Sequence, residues 1–213
     1  MEILAAAPSN LELAALEGVF KKHHCPVLAS GIGPVMTAHV LTRHFEVSSP
    51  DILVLCGLGG LYAEGAGFQP EVLLAETEVM ADFGRCTMDS VQGLDIEGED
   101  TKVFFDIASS WEGVLAKEKL VSAGFRLAKM ATLSCASGDE SRARVIPGLF
   151  GVQVENMEGA AAALVCRHYG VSLYEFRAIS NIAGEPDHSK WRIKDALDSL
   201  CREVDRFLAL LYR

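Results

Sequence analysis

Short apolar segments that alternate with helical patterns constrain the fold of this chain more than any other feature. Six segments are apolar and bounded by turn residues, as buried strands are. They are EILAAA (2–7), PVLAS (26–30), DILVLCG (51–57), EVLLAETEVM (71–80), FRLAKMATLSC (125–135) and VSLYEFRAIS (171–180). Helical patterns lie between them, at 9–22, 34–45, 109–122, 139–146, 156–168 and 190–212. This alternation predicts βαβ units, and therefore an α/β fold whose sheet is covered by helices on both faces.

The ends of several predicted helices carry residues that typically begin or end helices. Ser9 or Asn10 is a candidate N-cap, Ser137 with Glu140 forms a candidate capping box, and Gly170 follows a helix C-terminus. In an open α/β sheet, ligands bind where loops leave the carboxyl ends of the strands. We therefore look for functional residues at those ends.

Length and charge restrict the possible classes of protein. A chain of 213 residues fits one domain, predicted here to span 1–213. Its net charge of −10 disfavours binding to nucleic acid or to an anionic membrane. The six cysteines form no CxxC pair, and no signal-like segment opens the chain, so we expect reduced thiols and a cytoplasmic protein.

Two glycine-rich turns follow predicted strands, at SGIGPV (30–35) and CGLGGLY (56–62). Met36 and Tyr62 stand where the third glycine of GxGxxG would be, and no Walker lysine follows. A dinucleotide site or a P-loop is therefore disfavoured. Taken alone, each turn is typical of tight packing between a strand and a helix.

Two further stretches place polar residues at predicted element ends. VENMEGAAAALVC (154–166) suits burial but opens with acids that are costly to bury unpaired. Its Glu158 lies in the first turn of a helix, near the positive end of the helix dipole, where it is either a functional acid or only a capping acid. Asn181 lies at the carboxyl end of a strand and is followed by a loop rich in Gly, Pro and Asp.

Five motifs in this order resemble those of the nucleoside phosphorylase and nucleosidase superfamily, which includes methylthioadenosine/adenosylhomocysteine nucleosidase. They are SGIGPV (30–35), CGLGGLY (56–62), SGDE (137–140), VENMEGAAAA (154–163) and RAISN (177–181). Within the superfamily the chain looks most like the futalosine hydrolases. The resemblance implies a single-domain αβα sandwich with a central mixed, mostly parallel sheet. It also implies a homo-oligomer that needs no metal or organic cofactor.

The resemblance assigns roles to residues around the sugar. Met157 would pack under the ribose, and Glu158 would accept hydrogen bonds from its 2′- and 3′-hydroxyls, so that the substrate supplies the partners of a buried acid. Arg177 would contact the water or Glu158, or alternatively serve a structural ion pair. Gly57 and Ser180 complete the predicted substrate-binding set.

The resemblance also bears on the reaction. Adenine-specific members carry aspartate where this chain has Asn181, and an amide NH₂ can donate to purine nitrogen-7 or to a 6-oxo group, which favours hypoxanthine as the leaving base. Glu12 matches the glutamate that orients the attacking water in nucleosidases, although it could be an exposed first-turn acid. Leu58 stands where related phosphorylases offer a serine to phosphate, and no arginine is obvious beside either glycine-rich turn, so hydrolysis is favoured.

The resemblance implies a nucleosidase that hydrolyses futalosine to hypoxanthine and dehypoxanthine futalosine in menaquinone biosynthesis, with a purine nucleoside and water as its small-molecule partners. The alternatives are an adenine-releasing nucleosidase acting on methylthioadenosine, adenosylhomocysteine or aminofutalosine, a purine nucleoside phosphorylase, and a nucleoside-binding protein without catalysis. Ser141-Arg142 replaces the usual aromatic residue against the purine. We consider a Phe or Tyr from 82–105 as the substitute. The sequence predicts a long, irregular surface loop at 82–102 within this range.

Overall fold

The computed structural model describes residues 1–62, 69–87, 89–94 and 103–212, and within them ten strands and six α-helices. The strands are β1 (Ile3–Ala7), β2 (Val27–Ala29), β3 (Ile52–Leu61), β4 (Val72–Met80), β5 (Arg85–Cys86), β6 (Val91–Gln92), β7 (Phe104–Asp106), β8 (Leu127–Thr132), β9 (Val154–Asn156) and β10 (Ser172–Ile182). The helices are α1 (Asn10–Lys22), α2 (Pro34–Phe45), α3 (Lys117–Ser122), α4 (Glu140–Phe150), α5 (Gly159–Tyr169) and α6 (Ile193–Leu211). Short 3₁₀ turns occupy Ala108–Trp111 and His188–Lys190.

The main sheet is mixed, and most of its strand pairs are parallel. Its order is β10-β4-β8-β9-β3-β1-β2, with β7 added beside β4. The pairs β1–β2, β1–β3, β3–β10, β4–β8 and β8–β9 are parallel. The pairs β4–β10, β3–β9 and β4–β7 are antiparallel. The predicted central mixed, mostly parallel sheet is therefore present.

The predicted αβα sandwich is present only in part, because five strands of the sheet close into a ring. β10 pairs with β3 along nearly its whole length, and its residues Phe176–Ala178 also pair with β4. Strands β10, β4, β8, β9 and β3 consequently form a closed, barrel-like ring. Closure is possible because β10 is long enough to use both of its edges and has an irregularity in its β3 pairing between Ile179 and Asn181.

Helices pack outside the strands in two pairs, α1 with α6 and α2 with α5. A buried apolar cluster extends from Ile3 in β1 to Leu208 in α6 and includes both helix pairs. Helix α6 has the strongly amphipathic pattern of a helix that covers a core, with Leu200 and Val204 buried. Within the described residues, no helix is both long enough and apolar enough to cross a membrane.

Several local predictions differ from the structure. The helix predicted at 109–122 is interrupted, because Gly113 adopts a left-handed φ of 82° between the 3₁₀ turn and α3. The Ser137 capping box is wrong: Asp139 caps α4 by accepting from the Arg142 N–H, while the Ser137 hydroxyl donates to Glu155.

The predicted Ser9 cap and the Gly170 helix end are both confirmed, the latter by a φ of 69°. Cys86 and Cys135 are exposed. The 82–102 loop contains the β5–β6 pair, whereas residues 88 and 95–102 lie outside the described part of the chain.

The topology brings the candidate residues to one edge of the sheet. β1, β3 and β10 are parallel, so their carboxyl ends point the same way. The chain leaving β1 enters α1, which carries Glu12, while β3 and β10 end near Leu58 and Asn181. β9 meets the end of β3 from the opposite direction and leads directly to Glu158. Residues far apart in sequence thus converge at one place.

Candidate active site

A cavity of about 310 Å³ opens at this edge of the sheet. Its walls combine apolar side chains with several buried polar ones, as expected for a small-molecule site. The described lining residues are Pro8, Ser9, Glu12, Ile32, Leu58, Gly59, Gly60, Ala136, Glu155, Asn156, Met157, Glu158, Ser180, Asn181 and Trp191. A larger cavity of about 620 Å³ lies beside α4 and the loop after β10, but it contains none of the predicted site residues.

Glu12 is fixed by hydrogen bonds to both of its carboxylate oxygens. Oε2 accepts from the backbone N–H and the hydroxyl of Ser9, which completes a capping box at the start of α1. Oε1 accepts from the Leu58 N–H at 3.0 Å. Glu12 is only 7% exposed, so the reading of it as an exposed first-turn acid is wrong. Oε1 can accept a second hydrogen bond, which leaves capacity for a water molecule.

Glu158 is buried and has partners from the protein itself. Oε1 accepts from the Gly33 N–H at 3.0 Å, and Oε2 accepts from Nη1 of Arg177 at 2.9 Å. The residue precedes α5 as its N-cap, yet its side chain caps none of the helix N–H groups. The predicted contact of Arg177 with Glu158 is therefore present, and the protein supplies partners for this acid in addition to any that a substrate offers. Each oxygen still has a free lone pair for a sugar hydroxyl.

Asn181 is held in one orientation by its neighbours. Its Nδ2 donates to the Ile182 carbonyl at 2.9 Å, and its Oδ1 accepts from the Ser180 hydroxyl at 2.8 Å. Since a carbonyl can only accept, the amide nitrogen must face Ile182. One N–H of the amide remains without a partner within the described contacts. Asn181 can consequently donate this hydrogen to a ligand.

The structure separates the predicted residues into two groups. Glu12, Met157, Glu158, Ser180 and Asn181 all line the cavity. Gly57 and Arg177 lie behind the cavity wall instead, in direct contact with one another. A Cβ on Gly57 would come within 2.5 Å of Arg177 Nη1 and 3.2 Å of Glu12 Oε1, so any larger residue there would have to displace the guanidinium.

This contact also corrects the statement that no arginine lies beside the glycine-rich turns. Arg177 pairs with Gly57 across the β3–β10 ladder. It is 1% exposed and donates to Glu158 and Glu175, and more weakly to the Leu58 carbonyl. Burial by itself would lower the pKa of Arg177, but the Glu175 and Glu158 carboxylates outweigh burial and raise the pKa, so the guanidinium stays charged. Its position suits holding Glu158 rather than binding phosphate.

Sequence reasoning assigned no role in the site to Glu155, Asn156 or Trp191, all of which line the cavity. Glu155 lines the cavity and accepts from both the hydroxyl and the N–H of Ser137. Asn156 accepts from the N–H groups of Glu158 and Gly159 and so caps α5. The acids and amide that open 154–166 were the available signal for both.

Trp191 is the one aromatic side chain among the described residues that line the cavity. Its Nε1 donates to the Glu185 carbonyl at 3.2 Å. The three aromatic residues of 82–105 do not line the cavity: Phe83 and Phe104 are exposed, and Phe105 belongs to the core. The suggestion that one of them replaces the aromatic residue against the base is therefore not supported.

The fold and the site define the class of this protein. The chain belongs to the phosphorylase superfamily, which it matches over residues 8–213. The membership predicted from the five motifs is thus confirmed.

Two curated relatives and one solved structure narrow that class. The futalosine hydrolase of Thermus thermophilus is 33% identical over 97% of this chain and 95% of its own length. The futalosine hydrolase of Streptomyces coelicolor is 30% identical over 87% of this chain and 79% of its own length. A solved structure of the futalosine hydrolase of Helicobacter pylori has the same fold, with a TM-score of 0.78 at 18% identity over 100% of this chain and 97% of that one.

Proposed function

We propose that this chain is a nucleosidase that hydrolyses the N-glycosidic bond of futalosine, releasing hypoxanthine and dehypoxanthine futalosine for menaquinone biosynthesis. The site and the two futalosine hydrolase relatives support the same reaction. One observation favours hydrolysis in particular: three buried acids, Glu12, Glu155 and Glu158, line one small cavity. Their charge favours a cationic sugar and disfavours a phosphate anion.

The sugar would bind against Glu158 and Met157. Glu158 accepts the 2′- and 3′-hydroxyls with the lone pairs that Gly33 and Arg177 leave free. Charge-assisted hydrogen bonds of this kind are roughly twice as strong as neutral ones. The same carboxylate lies close to the sugar when the base departs, and its negative charge stabilises the oxocarbenium-like transition state.

Water would be oriented by Glu12. The cap formed with Ser9 and the bond from the Leu58 N–H prevent the carboxylate from rotating. A fixed acceptor holds the attacking water in one geometry and removes a proton from it as the bond to the sugar forms. The product sugar then carries the new hydroxyl.

The leaving base would face Asn181. An amide donates hydrogen bonds at neutral pH without titrating, so it stabilises the negative charge that develops on hypoxanthine. Water supplies the final proton to the base. Trp191 offers a flat apolar surface on the same cavity, suited to stacking against a purine.

One assay tests the proposal directly. Purified protein is incubated with futalosine, aminofutalosine, inosine and methylthioadenosine, with and without phosphate, and the released base and sugar are identified. We expect hypoxanthine from futalosine at a rate independent of phosphate. Adenine release would instead indicate the adenine-specific alternative, and a sugar phosphate would indicate a phosphorylase.

A substitution separates catalysis from binding. Glu12→Gln keeps the shape of the side chain but removes the base, and we expect kcat to fall by about 10²–10⁴ while futalosine still binds. Glu17→Gln, a change in an exposed acid of the same helix, is the matched control. Equal loss of activity in both variants would contradict the role given to Glu12.

Three further expectations belong to the same proposal. The chain acts as one domain over 1–213, it is cytoplasmic, and it forms a homo-oligomer. The exposed apolar side chains of Ile32, Val35 and Met36, beside the cavity, support association. Sedimentation of the purified protein measures the assembly, and a monomer at micromolar concentration would remove that expectation.

A further inference from the structure

A buried cluster of three acids and one arginine lies behind the cavity. Glu78 comes from β4, Glu175 and Arg177 from β10, and Glu158 from the start of α5. Glu78 and Glu175 are fully buried, and the other two are at most 4% exposed. Arg177 donates to Glu158 at 2.9 Å and to Glu175 at 2.8 Å, but it makes no hydrogen bond to Glu78. Ionisation of all three acids would leave an excess of buried negative charge, which is costly.

Glu78 has only neutral partners. Its Oε2 accepts from the Thr132 hydroxyl at 2.8 Å, and its Oε1 accepts from the Asn156 amide at 2.6 Å. Across from it, Oε2 of Glu175 is buried and receives no N–H or O–H from the described residues. A proton on Glu78 would supply that missing donor.

Gly159 shows how closely the two carboxyl groups approach each other. A Cβ at this position would overlap Oε1 of Glu78 and both carboxyl oxygens of Glu175. The two acids therefore share one small, buried space. Two carboxylates that share a site cannot both ionise easily, so one of them keeps its proton. Burial, with the nearby Glu175 carboxylate, raises the pKa of Glu78 well above its ordinary value.

We propose that Glu78 and Glu175 hold one proton between them and act as a positioning pair for Glu158, with Glu175 ionised against Arg177. The role of Glu158 as the ribose ligand rests on the proposed function, whereas the shared proton does not.

The pair acts on Glu158 along two routes. Glu175 holds Arg177, which donates to the Glu158 carboxylate. Glu78 holds the amide of Asn156, whose oxygen accepts from the N–H groups of Glu158 and Gly159. The first route fixes the side chain of Glu158, and the second fixes its backbone. A second negative charge on the pair would compete with Glu158 for Arg177.

Other titratable groups face the cluster from neighbouring elements. They are Cys166 of α5, Cys56 of β3 and Glu12 of α1. Burial raises the pKa of both thiols, so they stay neutral across the working range of pH. Glu12 faces Arg177 from the cavity side. A loss of activity at alkaline pH that depends on Glu78 would therefore report on the pair.

Infrared spectroscopy tests the shared proton without any substrate. At neutral pH the wild-type protein should show the carbonyl band of a buried protonated carboxyl group, and this band should be absent from Glu78→Gln. Glu76→Gln, on the same strand but paired with Lys117 nearer the surface, is the control and should keep the band. A wild-type spectrum without the band, or a band that survives Glu78→Gln, would overturn the proposal.

Kinetics test the positioning role. We expect Glu78→Ala to lower kcat/KM at least tenfold, and Glu78→Gln to restore it to within about threefold of wild type at neutral pH, because the amide is neutral and of the same shape. Wild type should lose activity as the pair gains its second charge at alkaline pH, and Glu78→Gln should not show this loss. The positioning role would be contradicted if Glu78→Gln kept the pH profile of wild type, or if it lowered kcat/KM as much as Glu78→Ala does. A wild-type protein inactive on futalosine would refute the proposed function, while the infrared result would still decide where the proton lies.

Discussion

Replacement of Arg177 by methionine tests the most consequential contact behind the site. Methionine has a similar length, but it removes the only cation that contacts Glu158 and Glu175 among the described residues. Both acids are almost completely buried, so neither can recover its lost partner from solvent. Removal of one partner from a buried ion pair costs about 3–5 kcal/mol, because the remaining charge is left uncompensated.

This loss should be easy to measure. In a domain of this size, 1 kcal/mol shifts the midpoint of thermal unfolding by about 2–4 °C, so the expected decrease in Tm is roughly 6–20 °C. Chemical denaturation at pH 8 gives the free energy of unfolding directly. The defect should become smaller at pH 5, since Glu175, whose pKa is raised by burial, can then take up a proton.

The matched control is Arg144→Met. Arg144 forms an exposed ion pair with Glu140 at 2.6 Å within α4. Exposed pairs contribute about 0–1 kcal/mol, so the control should unfold almost as wild type does. If both variants lost the same small amount of stability, the argument that Arg177 compensates two buried acids would be refuted.

The remaining predictions concern base selection, packing and pH. Asn181→Asp removes the amide donor, so kcat/KM for futalosine should fall by about 10²–10³-fold. Asn10→Asp, the same change at the exposed start of α1, is the control. Unchanged turnover by Asn181→Asp would exclude the amide from catalysis. Gly159→Ala forces a methyl group against Glu78 and Glu175, so it should lower the free energy of unfolding in urea by about 1–3 kcal/mol. Gly18→Ala meets no atom within 4 Å and should raise the free energy of unfolding by about 0.5–1 kcal/mol. Equal effects of the two changes would contradict the crowding at Gly159. Folding raises the pKa of Glu78 above its ordinary value of 4.5. The proton on Glu78 therefore contributes its full stabilisation below about pH 4.5, and this stabilisation is lost as the pH rises through the raised pKa of the folded state. The unfolding free energy of Glu78→Gln should therefore rise relative to wild type by up to about 1.4 kcal/mol per pH unit over this interval, and parallel pH curves would argue against a protonated Glu78.

Much of the architecture could be predicted because its signals are local. Apolar runs such as DILVLCG identify a strand without knowledge of its neighbours, and Ser9 or Asn10 marks a helix start as a candidate N-cap. Asn181 could be placed at a strand end for the same reason. The short strands β5, β6, β7 and β9 escaped prediction, since two or three residues give no periodicity to detect.

Long-range pairing could not be predicted. Nothing local in β10 indicates that it uses both edges and closes the sheet into a ring. The contact of Arg177 with Gly57 follows only from the register of β10 on β3. For the same reason, the sequence suggested an aromatic residue from 82–105 near the base, while the folded chain brings Trp191 to the cavity.

The amino-acid sequence by itself determined the order of the main elements, the superfamily and the acids and amide that stand at the ends of strands and helices. Tertiary structure alone decided that Glu158 is paired before any substrate arrives, and that Glu78 and Glu175 meet over Gly159. The physical reason is that hydrophobic periodicity depends only on residues that are close together in the sequence. The charge state of a buried acid, by contrast, depends on groups that only the closed sheet brings within a few ångströms.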